Sequence, residues 1–274
     1  MRIDAHQHFW RVERGDYGWL TPAQGVLYRD YMPEDLLPEL RSFGISRCVA
    51  VQAAPTVAET EFLLDLAEKH DWIAGVVGWL DLDSDACLGD YERLRRCAKF
   101  VGVRPMIQDL DVRWLLRPRV LRHLRALADD GFPVDLQARP RYLPVLKEVL
   151  TRVEGLRAVI DHAAKPFIAE GTLDPWREQM AELARFESLY CKLSGLITEG
   201  KQGAWTHADF APYVRHVAAV FGVERVMFGS DWPVCLISGS YAQVWDVLRH
   251  ALPELAADGA EHVYGRSAAA FYRL

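Results

Sequence analysis

Eight short apolar runs recur along this sequence at intervals of roughly 30 residues, and longer amphipathic segments lie between them. Most of the runs are rich in valine, isoleucine and leucine, as strands covered on both faces are. This alternation constrains the fold strongly, because two parallel strands need a long crossover between them, usually a helix. We predict strands at residues 2–8, 47–52, 74–80, 100–105, 133–137, 157–161, 189–194 and 225–229.

Helix signals occupy the intervening segments. Thr56 and Glu59 have the spacing of a capping box, Pro118 suits a first helical position with Gly131 as the stop, and Ser240 suits an N-cap. Eight such strand–helix units predict a single-domain (β/α)8 barrel, the TIM-barrel form of the α/β class, over residues 1–274. A doubly wound open sheet is the alternative, and the lack of a Gly-x-Gly-x-x-Gly motif after any strand counts against it.

Charge and composition exclude several classes of function. The net charge is −6, and no basic run favours nucleic acid or a membrane surface. No apolar stretch approaches the roughly 18 residues of a membrane-spanning helix. The first residues lack a signal-peptide pattern, so we expect a cytoplasmic protein. None of the five cysteines forms a Cys-x-x-Cys pair, which counts against a disulfide framework and a structural zinc knuckle.

The first predicted strand carries His6 and His8, two residues apart. Successive side chains of a strand point to opposite faces, so both histidines should share a face, with Asp4 on the same side one step earlier. Two imidazoles on one face supply half of a tetrahedral zinc site. Two polar residues facing water would give the same pattern, so the other strands must decide between the two interpretations.

Polar groups also end the other predicted strands, and the active site of a (β/α)8 barrel lies at the carboxyl ends of its strands. These candidate site residues are Gln52, Trp79, Asp81, Arg104, Asp135, Gln137, Asp161, His162, Lys192, Ser194, Ser230, Asp231 and Trp232. Among them, His162 and Asp231 could join His6 and His8 around a zinc ion, with water completing the shell. Taken singly, His162 also fits a buried structural histidine and Asp231 a helix cap.

Four segments in this order resemble the amidohydrolase superfamily, in particular its lactonase-like branch, which includes sugar-lactone and pyrone-dicarboxylate lactonases. They are Asp4-Ala5-His6-Gln7-His8-Phe9-Trp10, Asp161-His162-Ala163-Ala164-Lys165-Pro166, Lys192-Leu193-Ser194-Gly195 and Phe228-Gly229-Ser230-Asp231-Trp232-Pro233-Val234. The resemblance extends from the first strand to the eighth and implies the same barrel. It implies metal binding by His6, His8, His162 and Asp231, with all four in the catalytic centre.

The resemblance also implies hydrolysis of the ester of a small lactone, with Asp231 as the general base. Many amidohydrolases have a further metal-binding histidine on the middle strands, and this chain has Gln137 there. We therefore expect one divalent metal, zinc, rather than two, and catalysis without a tightly held metal stays open. The predicted substrate-binding residues are Arg104, Gln52, Trp79, Gln137, Lys192 and Trp232. Lys165 could also bind a substrate hydroxyl or carboxylate, but we expect it to be solvated at the surface.

Two other functions compete with the lactonase. One is a metal-dependent decarboxylase of the same superfamily, and the other is a non-catalytic barrel that binds a polyol. A sugar lactone is favoured over an aromatic dicarboxylate lactone, because Arg104 is the one clear arginine at a strand end, although Arg139 and Arg141 follow strand five closely. Residues 11–32 either arch over the barrel mouth or form an ordinary long loop. The sequence leaves a homo-oligomer open.

Overall fold

Eight parallel strands form the centre of the protein, and each strand pairs with the next one in sequence order. The computed structural model describes residues 1–274. The strands are β1 (Ile3–Gln7), β2 (Arg47–Val51), β3 (Ile73–Gly78), β4 (Phe100–Val103), β5 (Val134–Leu136), β6 (Ala158–Ile160), β7 (Leu189–Leu193) and β8 (Val226–Phe228). All eight predicted strands are present, and each is shorter than its predicted run.

Hydrogen bonds between β1 and the residues that follow β8 close the sheet into a barrel. The Asp231 amide donates to the His6 carbonyl at 2.8 Å, and the His8 amide donates to the Trp232 carbonyl at 2.7 Å. An open doubly wound sheet would leave its edge strands unpaired with each other. The (β/α)8 barrel is therefore confirmed, and the bonds that close it also hold two predicted site segments together.

Helices surround the barrel: α1 (Pro33–Ser42), α2 (Val57–Lys69), α3 (Cys87–Leu94), α4 (Pro118–Asp129), α5 (Leu143–Arg152), α6 (Trp176–Leu183), α7 (His207–Phe221), α8 (Tyr241–Ala251), α9 (Ala257–Glu261) and α10 (Ser267–Tyr272). The predicted caps are present. The Thr56 hydroxyl accepts from the Glu59 amide, and the Ser240 hydroxyl accepts from the Gln243 amide. None of the helices combines the length and the apolar character needed to span a lipid bilayer.

The barrel interior is a small apolar cluster that lies below the strand ends carrying the polar residues. Phe271 and Tyr272 of α10 pack there against Ile3, Val49 and Val101. A larger cluster of buried apolar side chains fills the space between the strands and the outer helices. Because α10 closes the amino-terminal end of the barrel, the interior is open only at the end where the candidate site residues lie.

Candidate active site at the carboxyl ends of the strands

Side chains from the strand ends line an open cavity of about 510 Å³, its mouth included. The lining residues are His8, Trp19, Ala53, Arg104, Met106, Gln108, Gln137, His162, Lys165, Asp231 and Val234. His6 lies directly beneath the cavity. Five of the predicted site residues line it, namely His8, Arg104, Gln137, His162 and Asp231. Gln52, Trp79, Lys192 and Trp232 are elsewhere.

A bulge in β1 sets the directions of its polar side chains. The pairing register with β2 shifts between Asp4 and Gln7, so Ala5 and His6 both point into the barrel. Asp4 points outward and accepts a hydrogen bond from the Tyr241 hydroxyl of α8 at 2.9 Å. The prediction that Asp4 shares a face with His6 and His8 is therefore wrong, because strict alternation stops at the bulge.

His6, His8 and Asp231 converge at the cavity floor. The Nε2 atom of His8 lies 3.2 Å from Oδ1 of Asp231, and the Nε2 atom of His6 lies 3.8 Å from the same oxygen. The potential ligand atoms of the three residues all lie within 4.8 Å of one another. Two donors of one tetrahedral zinc ion lie about 3.3 Å apart, given bond lengths near 2.0 Å.

The tautomer of His8 supports a cation at this position. Its Nδ1 atom lies 2.7 Å from the Val51 carbonyl oxygen, which can only accept, so Nδ1 carries the proton. In the neutral imidazole, Nε2 then presents a lone pair to the Asp231 carboxylate at 3.2 Å. Two acceptors face each other favourably only when a metal ion or a proton lies between them. The donor set therefore fits one divalent metal.

The protonation states also suit metal binding. Burial, reinforced by the nearby Lys192 ammonium, lowers the pKa of His6 well below its usual value. Burial lowers the pKa of His162 to about 4. Burial would raise the pKa of the Asp231 carboxyl, but the neighbouring His162, His8 and His6 lower it below its usual value. Neutral imidazoles and an ionised carboxylate are the forms that bind divalent metals.

His162 belongs to a second group, with His6 and Asp161. Its Nδ1 atom lies 2.9 Å from the Ser194 hydroxyl oxygen, and its ring centroid lies 4.4 Å from that of His6. The four predicted ligands thus fall into two overlapping groups that share His6. One group is His6, His8 and Asp231, and the other is His6, Asp161 and His162. Asp161 was predicted as a polar residue at the end of its strand but not as a member of the metal cluster, although its position directly before His162 was the available signal.

The chain after β6 runs through four consecutive left-handed residues, His162 to Lys165, with φ between 49° and 59°. Such a run costs roughly 1 to 2 kcal/mol per residue for side chains other than glycine. A left-handed turn places residues three apart on one side, and both His162 and Lys165 line the cavity. The expectation that Lys165 is surface-solvated is wrong, because this turn directs its side chain to the cavity, where it is 18% exposed.

Lys192 lies beneath the cavity floor and is completely buried. Its ammonium nitrogen is 3.1 Å from Nδ1 of His6 and 3.2 Å from Oδ1 of Asp161, and it donates to Asp135. Burial raises the pKa of Asp135 to about 6 although Lys192 opposes the rise. The predicted contact of Lys192 with substrate has no geometric support here, since its neighbours are the buried carboxylates and His6.

Gln52 is also buried, and it acts on Arg104. Its side-chain amide donates to the Arg104 carbonyl at 2.8 Å, and the Arg104 guanidinium donates to the Gln52 carbonyl. A guanidinium nitrogen of Arg104 lies 3.6 Å from Asp161. Gln52 therefore holds Arg104 in position without reaching the cavity itself. Arg104 and Gln137 line the cavity, and Gln52 does not.

The two tryptophans that were predicted to bind substrate lie outside this cavity. Trp232 is 3% exposed and packs edge-on against Phe9 and Tyr31, and Trp79 lines a neighbouring groove. Trp19, from residues 11–32, lines the cavity instead. The indole N–H of Trp19 donates to the Ala53 carbonyl at 2.7 Å. This long segment therefore reaches the barrel mouth, as one of the two interpretations held.

We expect Gly195→Ala to lower kcat/KM by about 100-fold, since a displacement of about 1 Å at a reacting centre has that effect. Gly195 has φ +58°, and a Cβ there would lie 2.6 Å from Nδ1 of His162 and 2.8 Å from Oδ2 of Asp231. Gly155→Ala is the matched control, with φ +77° and no atom within 4 Å of its Cβ. Similar steady-state rates for the two variants would show that the contact at Gly195 is unimportant.

Comparison with known proteins gives a consistent result over the whole chain. A family model described as amidohydrolase matches residues 3–274. The chain is 41% identical to an L-fucono-1,5-lactonase of Burkholderia ambifaria and 38% identical to one of Burkholderia multivorans, over 100% of this chain and 96% of each relative. The crystal structure of an amidohydrolase from Burkholderia multivorans with bound zinc superposes with a TM-score of 0.94 at 35% identity, covering 100% of this chain and 99% of the other.

Proposed function

The chain belongs to the amidohydrolase family, and from that premise we propose that it hydrolyses the ester bond of a neutral sugar lactone at the strand-end cavity. The observation that carries the proposal is the Asp231 carboxylate, held beside His8 and His6 on the floor of an open cavity of about 510 Å³. Similarity along the full length to two L-fucono-1,5-lactonases supports an aldonolactone as the substrate.

Asp231 is the general base. It takes a proton from the attacking water and returns it to the ring oxygen that leaves as the lactone opens. Its low pKa keeps the carboxylate ionised at neutral pH. Arg104 and Lys165, both on the cavity wall, are placed to stabilise the negative charge that develops on the carbonyl oxygen, where a preorganised donor has a large effect on rate.

His6, His8 and Asp231 would hold the metal ion that the family implies. A zinc ion held there would polarise the lactone carbonyl and make a water molecule more acidic. His162 borders this group through His6 and contributes an imidazole to the cavity wall. We propose His162 as a further ligand or as a hydrogen-bonding partner of substrate, positioned by the Ser194 hydroxyl.

The cations of the cavity favour a neutral lactone over a dicarboxylate. The Arg104 guanidinium already donates to the Gln52 carbonyl and lies 3.6 Å from the Asp161 carboxylate. Arg141 donates to the Gln108 carbonyl and stacks on Tyr142, so it does not line the cavity. Lys165 is then the one ammonium on the wall, 3.8 Å from Glu199, and it suits one hydroxyl or one developing carboxylate.

The test is a pH-indicator assay of the purified protein with a panel of aldonolactones, including L-fucono-, L-rhamnono- and L-galactono-lactone, and elemental analysis of the same preparation. We expect acid release well above the spontaneous rate on one sugar series and about one zinc per chain. Failure on every sugar lactone, with activity on pyrone lactones or carbon dioxide release from a carboxylated substrate, would contradict the proposal.

We also propose a cytoplasmic location. All five cysteines are free thiols in the structure, which suits a reducing compartment. Fractionation of the source cells would test the location.

A further inference from the structure

A second cavity adjoins the first one and shares Trp19 and Met106 with it. We call it the aromatic groove and define it by Trp19, Trp79, Trp114, Asp16, Asp81 and Asp109. Its volume is about 1,120 Å³, open to solvent. Trp19 forms the partition between the two cavities, because it lines both, and its indole N–H is fixed on the Ala53 carbonyl.

The other two tryptophans of the groove are half-buried and have free hydrogen-bonding groups. Trp79 follows β3, where the Thr60 hydroxyl accepts from its backbone amide at 2.8 Å. Trp114 lies on the 3₁₀ turn Val112–Leu116. Neither indole N–H donates to a protein acceptor. Rigid indole rings with a free N–H suit a ligand that has both an apolar face and hydroxyl groups.

The charge of the groove is of one sign. Three carboxylates line it, and no lysine, arginine or histidine does. Asp16 is paired with Arg14 at 2.7 Å, but Asp109 makes no ion pair or hydrogen bond, and Asp81 accepts only from the nearby Asp83 amide. Free carboxylates accept hydrogen bonds from hydroxyl groups and repel anions.

We propose that the aromatic groove is a second binding site, specific for a neutral polyhydroxylated ring, beside the cavity where the lactone is opened. The inference rests on the proposed function. Hydrolysis converts a neutral lactone into a carboxylate anion, so the groove accepts the substrate and rejects the product. The first cavity differs in charge, because Arg104 and Lys165 line it beside Asp231. The groove therefore holds substrate near the reacting centre and does not retain the product.

Binding is tested without turnover by titrating the protein with L-fucose, a neutral sugar that is not a lactone, and with the L-fuconate anion. In Trp114→Ala the affinity for L-fucose should fall roughly three- to tenfold, which corresponds to one lost aromatic contact. Tyr28→Ala removes an exposed aromatic residue outside both cavities and should leave that affinity unchanged. Equal affinity of Trp114→Ala and wild type for L-fucose would overturn the proposal.

Kinetics on the best lactone give an independent test. Trp114→Ala should raise KM by the same factor while kcat is unchanged, because the groove does not contact the reacting atoms. Asp109→Lys should make L-fuconate a stronger inhibitor by roughly two- to fivefold, since it removes a repulsive charge and adds an attractive one. An unchanged KM or unchanged inhibition would argue against the groove. Intact sugar binding without any lactone hydrolysis would instead contradict only the proposed function.

Discussion

Asp231→Asn should lower kcat for lactone hydrolysis by roughly 10³-fold, within the range that general acid–base catalysis contributes. The amide cannot accept the proton of the attacking water, and it cannot return one to the leaving ring oxygen. Because the pKa of Asp231 lies below its usual value, the wild-type base is ionised throughout the neutral range. The deficit should therefore be similar across roughly pH 6 to 8, as measured by the initial rate of acid release.

The fold should tolerate this substitution. Asp231 has φ +56°, and asparagine adopts left-handed backbone more readily than other non-glycine residues. Its closing hydrogen bond to the His6 carbonyl comes from the backbone amide, so the barrel remains joined. Asp65→Asn is the matched control, because this carboxylate is exposed on α2 and lines neither cavity, and its kcat should equal that of wild type. An Asp231→Asn enzyme retaining a tenth of the rate would exclude Asp231 as the base.

Lys192→Met should lower the free energy of unfolding by about 3 to 5 kcal/mol, as removal of one partner from a buried ion pair does. Lys192 is completely buried and its ammonium contacts Asp135, Asp161 and His6. Without it two buried carboxylates remain, with the Tyr272 hydroxyl as a donor to Asp135. The expected decrease in melting temperature is roughly 10 °C for a chain of this size, measured by calorimetry.

Lys147→Met is the matched control for stability. Lys147 pairs with Glu182 at 2.8 Å, but both side chains are about half exposed, and such pairs contribute about 1 kcal/mol or less. A melting temperature of Lys192→Met within about 2 °C of the control would show that the buried cluster is not stabilising. Activity should fall as well, since Lys192 and Asp161 flank Nδ1 of His6 and fix its ring.

The order and identity of the strands could be predicted from the sequence because burial on both faces demands continuous apolar runs. The same pattern located the strand ends, and a barrel must bring those ends together. His8, His162, Asp231, Arg104 and Gln137 were found in this way, and all five line one cavity. Local capping signals at Thr56 and Ser240 were equally predictable, since the bonds they make span only three residues.

The wrong predictions concern residues whose role depends on the direction of the side chain and not only on the position of the residue in the fold. Asp4 was placed beside His6, but the bulge in β1 turns it outward to Tyr241. Lys192 stands at the end of its strand as predicted, yet its side chain lies under the cavity floor among partners from β5 and β6. Lys165 was assigned to solvent, and a left-handed turn brings it to the wall.

The sequence by itself determined the barrel, the position of each strand end and the set of imidazoles and carboxylates available for chemistry. These properties follow from periodicity and residue type, which are local. Only the tertiary structure decided which groups share a metal-sized site, which lie beneath it, and that Trp19 lies between two cavities that differ in charge. Those properties depend on backbone irregularities and on contacts between residues far apart in the chain, and no local pattern specifies them.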